Sequence, residues 1–151
     1  MENSEISFGL RRITTEQFAV IESALDESKD SIEISTALRF GFNIEKRIIT
    51  PLFTVNFNQD KNPFLLLEIG CHFEIFQEHW DEMYSTEQQE IKLSKGLAMH
   101  LVVLCTGTLR GVLHAKTENT PYNKYFLPTI NVNELIKEDI IIKVNDSIDL
   151  K

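Results

Sequence analysis

The stretch FLLLEIGCHFEIF, residues 64–76, alternates between two kinds of side chain with a period of two. The even-numbered positions mix apolar residues with Glu68, Gly70, His72 and Glu74. Successive side chains of a β-strand point to opposite faces of a sheet, so this pattern predicts a strand with one face in a core. We expect its other face to meet water or a partly polar partner. The odd-numbered positions are all apolar: Leu65, Leu67, Ile69, Cys71, Phe73 and Ile75.

Three earlier stretches predict further strands of the same sheet. Residues 6–20 and 52–57 carry short alternating patterns, and residues 32–44 alternate over their whole length. The turn sequence NQDKNP separates residues 52–57 from residues 64–76, so we expect the last three strands to form an antiparallel meander. The acidic, serine-rich residues 21–33 favour a linker over a short helix. The apolar residues that define the first two strands are Ile6, Phe8 and Leu10, then Ile32, Ile34, Leu38, Phe40, Phe42 and Ile44.

A helix is predicted to begin after MYST, with Ser85 or Thr86 as its N-cap. A break at residues 94–96 is expected to separate a short first piece from a long second one. Beyond the break, one row of residues follows helical spacing and is expected to pack on the sheet. Its members are Leu97, Leu101, Leu104, Cys105, Thr108, Leu109, Val112 and Leu113.

A second row on the same helix repeats every four residues and points away from the first. It consists of Met99, Val103, Gly107 and Gly111. Small and apolar residues at this spacing form a groove into which another helix can pack closely. Since no other long helix is predicted, we expect a second copy of the protein to fill it.

Composition and charge exclude several classes of protein. The chain has 151 residues, the size of one domain spanning 1–151, and 23 acidic against 15 basic residues give a net charge of -8. That charge disfavours nucleic acid as a partner. The longest apolar run, 101–105, is far shorter than a membrane span, and residues 1–20 do not resemble a targeting segment. We therefore expect a cytoplasmic protein without membrane insertion. Cys71 and Cys105 lack metal-binding spacing and are expected to be buried free thiols.

Candidate catalytic chemistry is confined to the stretch CHFEIFQEHWDE, residues 71–82. His72, Glu74 and His79 could hold a metal, and a small metal-dependent enzyme is therefore one alternative. The chain lacks HExxH spacing, a nucleophile elbow, a phosphate loop and a dinucleotide fingerprint. A solvated polar face explains these residues better, so we expect no enzyme, metal or cofactor.

Two groups of aromatic residues flank the long helix, in segments that are predicted to be loops. Trp80 and Tyr84 precede it, and Tyr122, Tyr125 and Phe126 follow it. Each ring could cap the end of the core. Together they could also line a groove that binds extended apolar peptides.

The segment FLPTINVNEL, residues 126–135, places a proline before alternating apolar and asparagine residues. This order predicts an extended segment that turns into a helix. Four strands, a long helix, this segment and a short final helix resemble the SecB export chaperones, whose corresponding motif is L-x-P-[IV]-N-[FV]-x-x-L. The matching positions are Leu127, Ile130, Asn131, Val132 and Leu135, with Pro128 one residue earlier than the family's proline. FGLRRITTEQF is also similar to the family's first strand, and Gly70, Phe73 and Ile75 to the end of its fourth.

The resemblance implies an α+β fold, with a four-stranded antiparallel sheet, a long helix on one face and a short second helix. It also implies a homotetramer, a dimer of dimers, acting as an ATP-independent holdase that binds unfolded preproteins and supports their export. Asn131 would then satisfy backbone groups at the start of the second helix, and Leu66 and Glu68 look like the pair that docks the SecA motor. Relatives serve as dedicated chaperones of antitoxins, so an adaptor with a single partner is the alternative.

Overall fold

The structure is a computed structural model that describes residues 8–145 and shows an α+β fold. Ile6 and residues 146–151, which belong to the predicted first strand and the C-terminal tail, lie outside the described residues. The strands are β1 (Phe8–Val20), β2 (Glu33–Asn43), β3 (Ile48–Gln59), β4 (Asn62–Ile75), β5 (Tyr84–Ser85), β6 (Glu90–Leu93) and β7 (Ile140–Lys143). The helices are α1 (Gln77–Met83), α2 (Lys95–Thr117) and α3 (Val132–Leu135), and short 3-10 turns occupy Glu22–Ala24 and Pro121–Lys124.

The larger sheet has four antiparallel strands in the order β1-β4-β3-β2. The predicted meander of β2, β3 and β4 is confirmed, and β1 pairs with the outer side of β4. β1 is not a regular strand, because its pairing with β4 shifts between Leu10 and Arg12 and again between Thr15 and Gln17. The linker predicted over residues 21–33 is confirmed, apart from the single 3-10 turn and the first residue of β2.

One face of this sheet is covered by α2, and the core lies between them. The odd-numbered residues of β4 are all buried, as their alternation predicts. The helix buries Leu97, Leu101, Cys105, Leu109 and Leu113 of the predicted row. Leu104 of that row is exposed, so its assignment to the core is wrong. By length and composition α2 is the one helix among residues 8–145 that could cross a membrane, and here one of its faces is packed on the sheet.

The short helical piece predicted between MYST and residues 94–96 is wrong, because this stretch forms β5, a turn and β6. The long helix starts at the predicted break. Ser85 Oγ accepts a hydrogen bond from the Gln88 backbone N–H, but within a turn between β5 and β6 rather than at a helix start. The helix begins at Lys95, where Ser94 Oγ accepts from the Leu97 N–H. In both places a serine hydroxyl oxygen accepts a hydrogen bond from the backbone N–H three residues later. The sequence motif alone therefore does not distinguish a serine turn from a helix N-cap.

The C-terminal part of the described chain adds a second, smaller layer. Asn131 caps α3 by accepting from the Asn133 N–H, as the resemblance implies. β7 then pairs with β6 in a three-stranded sheet of order β5-β6-β7, so residues 140–143 form an extra strand. Asp139 accepts a hydrogen bond from the Lys95 N–H at 2.8 Å and thereby ties this segment to the start of α2.

Candidate functional site

The face of β1 that points toward the helix is not covered by it. Leu10, Ile13, Phe18 and Val20 lie opposite Phe73, Cys71, Leu67 and Leu65 of β4, respectively. Opposite residues of an antiparallel pair share one face of the sheet. The four β4 residues are fully buried, whereas the four β1 residues expose between 37% and 47% of their surface. α2 therefore shields the middle of the sheet and leaves its β1 edge open.

Two side-chain contacts show how α2 runs relative to β1. The His100 ring lies edge-on to Phe8 with 5.2 Å between centroids, and Lys116 Nζ lies 5.4 Å from the centroid of the Phe18 ring. Both chain segments therefore run in the same direction, side by side. Arg110, on the other flank of α2, donates to the Pro128 carbonyl, so that flank faces the segment before α3.

The flank of α2 next to β1 carries three residues that are four positions apart. Leu104 is 42% exposed, and Thr108 and Val112 are half-buried. We call the space between them and the four exposed β1 residues the β1–α2 groove. Its walls are apolar except at Thr108. The β4 residues opposite the β1 wall are fully buried beneath it.

An open cavity of about 360 Å³ lies at the C-terminal end of the groove. β1 contributes Phe18 and Val20 to its lining, and Lys116 closes it from α2. The rest of the wall is formed by Glu22, Thr117, Asn119, Thr120, Pro121 and Tyr122. The cavity has the size of an ordinary ligand pocket and shares Phe18 and Val20 with the groove.

The backbone of β1 adds a second binding feature. Within the described residues β1 pairs with β4 alone, so its other edge presents unpaired N–H and C=O groups to solvent. Such an edge can template an additional extended strand. The two pairing shifts divide the strand into short regular stretches, and residues 12–15 and 17–20 are the longer ones.

The predicted aromatic site is only partly assembled. Trp80 lies in α1 rather than in a loop, is 4% exposed, and packs on Tyr84 with 5.9 Å between centroids. Trp80 therefore belongs to the core. Tyr125 packs on Phe64 at 5.1 Å, so this ring closes the other end of the core. Tyr122 contributes to the cavity of the groove, and Phe126 is 56% exposed.

The predicted SecA-docking pair does not form an acidic surface. Glu68 is 7% exposed, and its carboxylate accepts hydrogen bonds from Arg39 Nη2 at 3.2 Å and from Thr54 Oγ1 at 2.6 Å. Glu68 is thus not the exposed acidic residue that the resemblance implies, and Leu66 beside it is half-buried. Arg39 reaches this carboxylate from β2, across β3, on the outer face of the sheet, which is the face away from α2.

His72 is also held on the outer face, between two threonines. Its Nδ1 lies 3.1 Å from Thr50 Oγ1, and its Nε2 lies 3.0 Å from Thr14 Oγ1. The Thr14 hydroxyl donates to Glu16 at 2.6 Å, so Nε2–H donates to Thr14 and Nδ1 accepts from Thr50. Burial, with a smaller contribution from Arg12, lowers the pKa of His72, because both disfavour the charged ring.

These contacts bear on the predicted metal ligands His72, Glu74 and His79. Both nitrogens of His72 are occupied, and Glu74 pairs with Arg11 at 2.9 Å and Arg47 at 3.1 Å. Among residues 8–145 no three His, Cys, Asp or Glu side chains are grouped to hold a metal ion. The three candidates therefore do not form one site.

Three of the four residues in the second row of α2 lie where the sequence predicts, away from the sheet, but the prediction is wrong for Met99. Val103, Gly107 and Gly111 are exposed, and a Cβ atom added at either glycine would meet no atom within 4 Å. Met99 is half-buried and packs against the edge of the core. A second copy of the chain on this row stays a prediction.

Comparison with known protein families, curated proteins and solved structures found no match to this chain. The β1–α2 groove was not predicted from the sequence. The only signal for it was the row Leu104, Thr108 and Val112, whose central residue is polar.

Proposed function

We propose that this protein is a SecB-like, ATP-independent holdase of the cytoplasm that binds extended, non-native polypeptide segments in the β1–α2 groove. The single observation that carries this proposal is the uncovered, apolar inner face of β1 beside an open backbone edge. A soluble chain that leaves four large apolar residues open in one row has a surface suited to another polypeptide.

Binding would combine two interactions that unfolded chains offer regardless of their exact sequence. Each large apolar side chain that the groove buries contributes about 1.5–3 kcal/mol before the cost of ordering the client. The edge of β1 adds backbone hydrogen bonds, which are available from any extended segment. Nothing in this mechanism needs a covalent step.

The proposal includes self-association through the exposed row of α2. Val103, Gly107 and Gly111 allow the backbone of a second helix to approach closely, and further pairing would give a dimer of dimers. Assembly would bring several grooves into one particle, and a client engaged at two of them would be held more tightly than at one.

The same proposal includes support of protein export, because the clients would be unfolded preproteins. Docking to SecA through Glu68 is not part of it, because Arg39 and Thr54 already satisfy that carboxylate.

A dedicated chaperone for one partner, such as an antitoxin, is the second candidate. The observation in its favour is the pair of shifts in β1, because a strand that is interrupted twice accepts only segments of matching register. A general holdase would suppress the aggregation of many clients, and a dedicated one would bind a single partner far more tightly.

The test is light scattering of an unfolded client diluted into buffer with and without the protein. Ile13→Glu places a charge in the groove, and we expect it to weaken client binding by about tenfold, the equivalent of one lost apolar contact. Ile34→Glu is the matched control, because Ile34 is a similarly exposed residue on the same face of the other edge strand, β2.

Suppression by the wild type and by Ile34→Glu, with loss in Ile13→Glu, would support the proposal. No suppression by the wild type, together with no tight single partner, would overturn it. Equal loss in both variants would show that the groove is not the binding site.

A further inference from the structure

The strand at the opposite edge of the main sheet is open as well. Within residues 8–145 β2 pairs with β3 alone, so its other side presents unpaired N–H and C=O groups. Its pairing with β3 continues from Glu33 to Asn43 without a register shift, whereas β1 is interrupted twice. A long, regular strand edge is a template for another strand, and bulges are one means by which proteins protect such an edge. The edge of β2 lacks that protection.

The accessible part of this edge is residues 32–40, which we call the open β2 edge. Every residue in this range is exposed or half-buried, whereas the last three residues of β2 are buried. Ile34, Thr36 and Leu38 lie opposite buried core residues of β3, so the even-numbered side chains point to the face that α2 covers. Ile34 is nevertheless 41% exposed. The open β2 edge therefore carries apolar side chains that its own chain does not fully cover.

The open β2 edge is complementary to itself when two copies run antiparallel. Its centre is Thr36, and a twofold axis there places residues that are equally far from Thr36 opposite each other. Both members of each such pair lie on the same face of the sheet, because their positions differ by an even number. The resulting pairs are Ile32 with Phe40 and Ile34 with Leu38 on the helix side, and Glu33 with Arg39 and Ser35 with Ala37 on the outer face.

The charged pair selects this register over its neighbours. Glu33 forms no ion pair within the part of the chain that the structure describes. The Arg39 side chain is 46% exposed, and its Nη2 donates to Glu68 at 3.2 Å. A guanidinium has five N–H donors in a planar fork, so it can bind a second carboxylate beside Glu68. A shift by two residues in either direction would place Glu33 opposite Ala37 or Gly41 and leave its carboxylate unpaired.

We propose that two copies of this protein pair antiparallel along the open β2 edge, about a twofold axis at Thr36, and join their four-stranded sheets into one. Backbone hydrogen bonds connect the two strands, and Ile34 of each copy packs against Leu38 of the other. The symmetry forms the ion pair between Glu33 and Arg39 twice. The axis is perpendicular to the sheet, so the α2 helices of both copies lie on the same face.

This pairing leaves the β1–α2 groove of each copy open, because β1 and β2 lie at opposite edges of the sheet. It also provides an interface distinct from the exposed row of α2, and a dimer of dimers needs two different interfaces. The inference does not rest on the proposed function, since it concerns how copies associate and not what the groove binds.

The first test is light scattering of the full-length protein over a range of concentrations. We expect Glu33→Lys to raise the dissociation constant of the pairing by about tenfold, because like charges replace opposite charges at two places in the interface. At a concentration where the wild type is paired, the mass of the variant should fall toward half. Glu87→Lys is the matched control, because Glu87 is exposed in the turn between β5 and β6 and the change in net charge is the same. Ile34→Glu should also separate the copies, while the groove of each copy stays intact.

Cross-linking tests the register. Thr36→Cys places two thiols opposite each other at the axis, where the Cβ atoms of paired residues lie about 4.5–5.5 Å apart. A short bismaleimide should therefore join two copies of this variant. The wild type is the blank, since Cys71 and Cys105 are fully buried. Thr15→Cys, at an exposed position in β1, is the control for pairing through the other edge.

Urea unfolding of each variant checks that it is folded, and an unfolded Glu33→Lys would leave Thr36→Cys to decide. A wild type that is monomeric at every concentration would overturn the inference. So would a folded Glu33→Lys with the mass of the wild type, or cross-linking of Thr15→Cys in place of Thr36→Cys.

Discussion

Gly70 shows how tightly the outer face of the sheet is packed at its centre. A Cβ atom at this position would lie 3.0 Å from Leu52 Cδ2, 3.0 Å from Thr14 Oγ1 and 3.1 Å from Thr50 Cγ2. Those threonines are the two that hold His72. The absence of a side chain at Gly70 therefore lets three strands close around one histidine.

Gly70→Ala is expected to lower the free energy of unfolding by about 1–3 kcal/mol, because packed neighbours must move to admit the methyl group. Urea unfolding measures this change. Gly96→Ala is the control, since nothing lies within 4 Å of its Cβ position, and it should be neutral or stabilising by up to about 1 kcal/mol. Equal effects at the two positions would contradict the packing described for Gly70.

His72 makes stability depend on pH in a definite direction. Its pKa is lowered in the folded protein, so the unfolded chain takes up this proton first as pH falls. The contribution is fully present above the ordinary histidine pKa of about 6.5 and is lost as pH falls from there through the lower folded pKa.

We therefore expect the wild type to lose more stability than His72→Gln when the pH falls from about 7 to about 5. Urea unfolding at both values measures the difference, and an NMR titration of the ring gives its pKa directly. A His72 pKa at or above 6.5 would show that the sign is wrong.

At the scale of elements, alternation predicted the sheet well. In a strand with one buried face, every second side chain is apolar, because successive side chains point to opposite faces. Alternation predicted the buried face of β4 residue by residue. It could not predict that β1 would be left open, because periodicity identifies an apolar face but not the width of the layer that covers it. The same limit explains Leu104, which has the spacing of a core residue but lies past the edge of the contact.

The secondary structure before α2 was predicted wrongly for a different reason. α1 spans two turns, too few for a helical repeat to be visible, so Trp80 was assigned to a loop. In β6 only Ile91 and Leu93 alternate, and a strand of four residues gives no more signal than that. Its pairing with β7, fifty residues away in the chain, is what stabilises it.

The exposed row of α2 leads to a prediction that separates two explanations of its glycines. In a lone chain, changing Gly107 and Gly111 to Ala should be stabilising by up to about 1 kcal/mol each, since both Cβ positions are open. If a second helix packs there, the methyl groups should separate the copies and lower the mass measured by light scattering. A higher melting temperature with unchanged mass would contradict the interface.

At the scale of the whole molecule, the two faces of the main sheet differ in how their charged and apolar side chains are covered. The outer face pairs its carboxylates internally, Glu68 with Arg39 and Glu74 with Arg11 and Arg47. The helix side leaves apolar surface open along β1. A net charge of -8 keeps such a molecule in solution while that surface stays available.

The proposed function depends on the β1–α2 groove as the place where another polypeptide binds. The most direct test is hydrogen–deuterium exchange of the protein with and without an unfolded client. We predict that the client slows exchange in residues 8–20 and in the adjacent flank of α2, and leaves β2 at the opposite edge unchanged. Protection confined to β2 or to α1, or no protection at a client concentration that saturates binding, would contradict it.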